Sequence, residues 1–127
     1  MLVRHVLALV LIVVAGMPAS AWAHAALVKS TPARRAAVAA PPPRVELIFS
    51  ERLEPAYSTV SVVDETGRQV DLKDAAVAPD DGRRLAVSLP PPLAAGTYTV
   101  RFRVLSVDGH VVESEFPFTV GARGAAR

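Results

Sequence analysis

Alternating apolar and polar positions run through much of the chain and predict β-strands. In the clearest run, residues 97–104, every even position is apolar and every odd position is polar or charged. Because successive side chains of a strand point to opposite faces, this pattern indicates one face in a core and one in solvent. Residues 112–120 repeat the alternation, and residues 45–49 place Val45, Leu47 and Phe49 on one face.

Shorter runs and chain breakers complete the predicted topology. Further strands are expected at residues 25–29, 57–63, 69–72 and 85–89, with a turn at 64–67, a loop tip at 80–82 and a short helical turn at 33–38. The proline runs 41–43 and 90–92 cannot lie inside central strands, so they are expected to be rigid crossovers between sheets. About seven short strands without a long helical pattern predict a single all-β domain, an immunoglobulin-like Greek-key β-sandwich.

The first 23 residues have the pattern of a cleavable signal peptide. Arg4 precedes an apolar run at residues 6–14, which is too short for a comfortable membrane span. Small residues then lead to a predicted cut after Ala23, which would make the protein exported and periplasmic. Cleavage after Ala21 or Ala25 and an uncleaved anchor are the alternatives. We therefore predict a signal peptide at 1–23, a β-sandwich at 24–120 and a disordered tail at 121–127.

Composition narrows the chemistry that this domain can perform. The chain contains no cysteine, which excludes disulfides, thiolate metal sites and haem attachment through cysteine. Its two methionines, Met1 and Met17, leave with the leader, so the mature protein has no thioether ligand for Cu(I). With 14 Lys and Arg against 12 Asp and Glu, the chain lacks the basic excess typical of nucleic-acid binding.

The candidate chemistry lies at the mature N-terminus and near residue 110. An N-terminal His24 would offer two nitrogen ligands, its α-amine and its imidazole. Asp108 and His110 are separated by Gly109, and in an extended segment such residues point to the same side. The α-amine and imidazole of His24, the imidazole of His110 and one oxygen of Asp108 would together give three nitrogens and one oxygen. Such a donor set suits tetragonal Cu(II). Each feature alone is more often incidental, but the two histidines of the mature chain both occur in these positions.

Four stretches carry a family resemblance: HAALVKSTP at 24–32, VELIFSE at 45–51, AGTYTV at 95–100 and VLSVDGH at 104–110. In order and spacing they resemble the copper resistance protein C (CopC) family of periplasmic copper-binding domains. The resemblance implies a cupredoxin-like or immunoglobulin-like β-barrel that binds one Cu(II) per chain through His24, Asp108 and His110. In some members the Glu of the Phe-Ser-Glu motif also lies by the copper, which makes Glu51 a possible further ligand.

The same resemblance implies a carrier rather than an enzyme. Its function would be copper sequestration or delivery in copper homeostasis or resistance, with a CopD-like inner-membrane copper transporter as partner. We expect a monomer that does not bind nucleic acid. Some family members bind Cu(I) in a methionine-rich loop, and the absence of methionine from the mature chain predicts no such second site here.

Two other functions remain open at the level of sequence. An N-terminal His with a second His also describes the copper brace of lytic polysaccharide monooxygenases, although this chain is short and has few aromatic residues for binding sugar. The Asp108 carboxylate would also occupy a position that an oxygen-activating copper needs open. The other possibility is an immunoglobulin-like interaction module that binds no metal.

Overall fold

Two four-stranded β-sheets packed face to face make up the computed structural model, which describes residues 25–121. The predicted signal peptide, His24 and residues 122–127 lie outside the described residues. The all-β sandwich is confirmed. Its strands are β1 (Leu27–Thr31), β2 (Ala37–Val38), β3 (Arg44–Phe49), β4 (Thr59–Val63), β5 (Ala76–Ala78), β6 (Asp81–Ser88), β7 (Gly96–Leu105) and β8 (Val111–Val120).

Successive strands cross repeatedly from one sheet to the other. The first sheet has the order β1-β3-β6-β5 and the second has the order β2-β8-β7-β4. All neighbours are antiparallel except β2 and β8, which are parallel. Residues 41–43 connect β2 to β3 and residues 90–92 connect β6 to β7, so both proline runs are crossovers between the sheets, as predicted. Where these runs meet, the Leu89 N–H donates to the Pro43 carbonyl at 2.9 Å.

The predicted inward faces form the core between the sheets. The side chains of Val45, Leu47 and Phe49 are buried, and so are the four even positions of β7 from 98 to 104. Phe49 of the first sheet meets Phe102 of the second in an edge-to-face contact, with ring centroids 5.3 Å apart. In the part of the chain that the structure describes, no helix has the length and apolarity of a membrane span.

A buried tyrosine lies where the chain enters β7. The Tyr98 hydroxyl donates to the Ala94 carbonyl at 2.5 Å, and its ring stacks on Phe118. Burial raises the pKa of the Tyr98 phenol, and the nearby carboxylates of Asp64 and Glu65 raise it further. A tyrosine bonded back to the preceding corner is a recurrent feature of immunoglobulin-like sandwiches.

The prediction of a strand at residues 69–72 was wrong. The carboxylate of Asp71 is buried here and accepts hydrogen bonds from the backbone N–H groups of Val62 and Lys73, both at 2.8 Å. An aspartate that bonds nearby backbone in this way competes with the strand ladder, and only an isolated bridge between Val63 and Gln69 remains. The fourth place in the first sheet is taken by β5, which the pattern did not reveal.

Other boundaries differ more modestly from the sequence expectations. The turn at 64–67 is confirmed, with Gly67 at φ +89°. The loop tip predicted at 80–82 lies at residues 79–80, because β6 already begins at Asp81. The helical turn expected at 33–38 is instead a tight turn followed by β2, and residues 55–57 form a 3₁₀ turn before β4. The described residues therefore contain eight strands where about seven were expected.

The contact between the two sheets predicts a large cost for Phe49→Ala. Phe49 is 1% exposed, so the truncation leaves a cavity, and we expect a loss of about 3–5 kcal/mol in the free energy of unfolding. Val28→Ala is the control, because Val28 is 63% exposed and its loss should change that free energy by less than about 0.5 kcal/mol. Urea unfolding measures both, and equal costs for the two variants would contradict this account of the core.

Candidate metal site

A hairpin at one end of the sandwich carries two of the predicted metal ligands. Strands β7 and β8 pair without interruption from Gly96 with Val120 to Leu105 with Val111. Residues 106–110 form the loop at the tip, closed by a hydrogen bond from the Ser106 N–H to the His110 carbonyl at 2.9 Å. Gly109 has φ +95°, a conformation that glycine adopts without the strain that a side chain would bring.

Asp108 and His110 lie side by side on this loop. The Oδ1 of Asp108 is 3.2 Å from the Nδ1 of His110. Their side chains are 33% and 50% exposed, respectively, so both can be reached from solvent. The structure thus brings the aspartate and histidine of the Asp-x-His pair together at the surface.

Ser106 is a residue of the site that the sequence interpretation did not single out. Its hydroxyl donates to Oδ1 of Asp108, the same oxygen that faces His110. The hydrogen bond from Ser106 and then that from His110 hold the pKa of the Asp108 carboxyl below its usual value of 3.8. The sequence does contain a sign of this role. Position 106 continues the series of inward-facing even positions of β7, yet it holds a polar residue.

The tip of the hairpin is tied to the first sheet through the segment that follows β3. Leu53 and Ser106 form an isolated antiparallel bridge. On either side of it, the Val107 N–H donates to the Arg52 carbonyl at 3.0 Å and the Glu54 N–H donates to the Leu105 carbonyl at 2.8 Å. These bonds join the loop to residues 52–54, and the Leu53 N–H in turn donates to the carbonyl of Gly82, in β6 of the first sheet, at 2.9 Å.

The described chain begins at the same end of the sandwich. Ala25 is completely buried in the core. The Ala26 N–H donates to the Ser50 hydroxyl at 2.9 Å, and the Ser50 N–H donates to the Ala26 carbonyl at 2.8 Å. Ser50 is two residues before Arg52, whose carbonyl accepts from the Val107 N–H of the loop at residues 106–110, the metal-site loop. His24, the remaining predicted ligand, lies outside the described residues.

Glu51 lies between these two anchoring points. Its side chain is partly buried. Within residues 25–121 no hydrogen bond or ion pair joins it to Asp108 or His110. The described residues therefore bring together two of the four residues considered as ligands.

The donor set of this pair fits a transition metal but does not complete a site. In a tetragonal site neighbouring bonds to the metal meet at right angles. Two ligand atoms are then about 2.8–3 Å apart when each bond is about 2.0–2.1 Å long. The 3.2 Å separation of Oδ1 and Nδ1 is close to that spacing. Across residues 25–121 no group of three or more His, Asp or Glu side chains could hold a metal ion.

Comparison with known proteins adds a family match. The CopC domain model matches residues 27–121. Copper resistance protein C of Xanthomonas campestris pv. juglandis is 39% identical over 107 residues, which cover 80% of this chain and 84% of that protein. The crystal structure of CopC from Methylosinus trichosporium OB3b superposes with a TM-score of 0.71 at 45% identity, covering 76% of this chain and 93% of that one.

A third relative contains a similar domain within a longer chain. The copper transport protein CutJ of Bacillus subtilis (strain 168) is 30% identical over 105 residues. The match covers 83% of this chain but 19% of CutJ.

The loop geometry predicts a specific effect of Gly109→Ala. No atom lies within 4 Å of an added Cβ, so the cost arises from the positive φ alone and should be about 1–2 kcal/mol of unfolding free energy. Gly67→Ala is a matched control, because Gly67 has φ +89° and equally open surroundings in the turn that follows β4. Both variants should lose similar stability in urea unfolding, but only Gly109→Ala should shift the amide NMR signals of residues 106–110. Unchanged signals there would show that the loop does not depend on this glycine.

Proposed function

Because the chain belongs to the CopC domain family, we propose that it is an exported copper-binding protein that takes up one Cu(II) ion through His24, Asp108 and His110. The observation that carries the proposal is the Asp108–His110 pair, held at 3.2 Å on an exposed and anchored loop. Support also comes from the relatives, one of them named for copper resistance and one for copper transport.

The chemistry of the donors favours Cu(II) over Cu(I). Imidazole, amine and carboxylate are the nitrogen and oxygen ligands that suit tetragonal Cu(II), whereas Cu(I) prefers thiolate and thioether sulfur. The chain has no cysteine, and its two methionines precede residue 18. We propose a single Cu(II) site and no methionine-based Cu(I) site.

His24 supplies the largest share of the proposed ligand set. Cleavage after Ala23 would free its α-amine, so that one residue could offer two nitrogens to the metal. The two hydrogen bonds between Ala26 and Ser50 support this assignment, because they hold Ala26 at the end of the sandwich where the metal-site loop is anchored. Glu51, next to Ser50, is retained as a possible further ligand.

The proposed mechanism is capture and delivery of the ion rather than turnover. The hydrogen bond between Asp108 and His110 must give way when both side chains bind the metal, so the ion takes over the position of the shared proton. A CopD-like transporter is the proposed partner and the periplasm the proposed location. Support for a transport partner comes from CutJ, in which a domain similar to this one is part of a longer copper transport protein.

The ligand assignment predicts the effect of three substitutions on Cu(II) affinity. His24→Ala, Asp108→Ala and His110→Ala should each weaken binding by about 100-fold or more, since even residues that only support a ligand contribute about 10- to 100-fold. Isothermal or competition titration measures the affinity, and electron paramagnetic resonance should show one tetragonal Cu(II) with nitrogen couplings. Intact mass must first show that the exported protein begins at His24.

Two controls test whether the effect belongs to this site. Asp80→Ala removes an exposed carboxylate in the turn before β6 and should leave affinity unchanged. Acetylation of the mature N-terminus keeps the His24 imidazole but converts the α-amine to an amide, and it should weaken binding as His24→Ala does. Wild-type affinity in both His24→Ala and His110→Ala would overturn the proposed site.

The same ligands predict how binding depends on pH. Free α-amino and imidazole groups release their protons between about pH 8 and pH 6, and they must be deprotonated to bind, so affinity should fall as pH decreases through that range. Because the pKa of Asp108 is lowered, its carboxylate stays ionised there and loses metal only in more acidic solution. Asp108→Ala should therefore bind more weakly but still lose affinity as the pH falls from about 8 to about 6. Loss of that pH dependence in this variant would assign the titration to the carboxylate instead.

A further inference from the structure

One polar residue interrupts the apolar inner face of β7. Tyr98, Val100, Phe102 and Val104 point into the core, and Ser106 occupies the next inward position with no exposed surface. A buried hydroxyl destabilises the fold unless it is hydrogen-bonded, and an apolar side chain would extend the core at this position. Packing alone therefore does not explain why position 106 is a serine.

Every polar group of Ser106 is used inside the metal-site loop. Its backbone N–H donates to the His110 carbonyl at 2.9 Å, and its carbonyl accepts from the Gly109 N–H at 2.8 Å. Its hydroxyl donates to Oδ1 of Asp108 and accepts from the His110 N–H at 3.3 Å. One buried side chain thus bonds both residues of the candidate metal pair.

The bond from the serine hydroxyl restricts the side chain of Asp108. That side chain is 33% exposed, so packing alone does not fix its rotamer. With Oδ1 held by the serine hydroxyl, the carboxylate has one orientation. The Nδ1 of His110 lies 3.2 Å from that same oxygen, so the two atoms proposed to bind the ion are held beside each other.

We propose that Ser106 is the positioning residue of the copper site: its buried hydroxyl holds Asp108 and His110 in the arrangement that captures Cu(II). The inference rests on the proposed function, since it needs copper to bind at this pair. Ser106 does not touch the ion. It acts through Asp108, as residues behind a metal ligand commonly do.

Ser106→Ala tests the role of the hydroxyl. We expect its Cu(II) affinity to fall by about 10- to 100-fold and its electron paramagnetic resonance parameters to change, because the carboxylate loses its anchor. Ser58→Ala is the matched control: Ser58 is also buried, and its hydroxyl accepts from the Leu105 N–H at 3.1 Å without contacting Asp108 or His110. This control can lose stability, but it should keep the wild-type spectrum and an affinity within about threefold.

A double-mutant cycle separates positioning from general loop stability. If Ser106 acts through Asp108, adding Ser106→Ala to Asp108→Ala should weaken Cu(II) binding by less than about threefold, because the anchored group is already gone. A full additive loss would overturn the positioning role, and so would wild-type affinity and spectrum in Ser106→Ala alone. These failures are distinct from failure of the copper site itself, in which Asp108→Ala and His110→Ala would bind as the wild type does.

Discussion

The register between β7 and β8 is the constraint on which the rest of the structure depends. Ten consecutive residue pairs keep the apolar positions of both strands on the inner face and leave residues 106–110 as the connecting loop. A slip of one residue would turn the core face toward solvent and change the length of that loop. The cross-strand ion pairs Arg101–Glu115 and Arg103–Glu113 are more than half exposed and contribute little, so burial of the inner face sets the register.

Much of this architecture could be predicted from local patterns, because a strand with one buried face has a characteristic alternation. The runs around residues 45–49, 97–104 and 112–120 have that property, and the proline runs mark the crossovers by the backbone chemistry that they exclude. Residues 69–72 could not be interpreted in this way. There the Asp71 carboxylate accepts hydrogen bonds from the backbone N–H groups of Val62 and Lys73 in place of ladder bonds, and the alternation of apolar and polar residues carries no sign of this. The parallel contact of β2 with β8 likewise depends on a distant strand.

In the candidate site, too, some features could be predicted from neighbouring residues, whereas others depend on residues far away in the sequence. The spacing of Asp108 and His110 implies that they are close, and the structure has them in contact. The role of Ser106 depends on its burial, which follows from the column that it shares with the β7 core. The anchoring of the loop by residues 52–54 depends on a bridge between two segments that are far apart in the sequence, and no pattern within either segment reveals it. His24 lies outside the described residues, so its place in the ligand set stays a prediction.

The exposure of the Asp108–His110 pair has a consequence for the kinetics of transfer. An ion bound at the proposed site would keep an open side, so an incoming donor group could join its coordination sphere before the original ligands depart. Exchange would then proceed by association, at a rate that rises with the concentration of the acceptor rather than being limited by spontaneous dissociation. A carrier built in this way can hold its cargo tightly against water and still hand it over quickly on encounter.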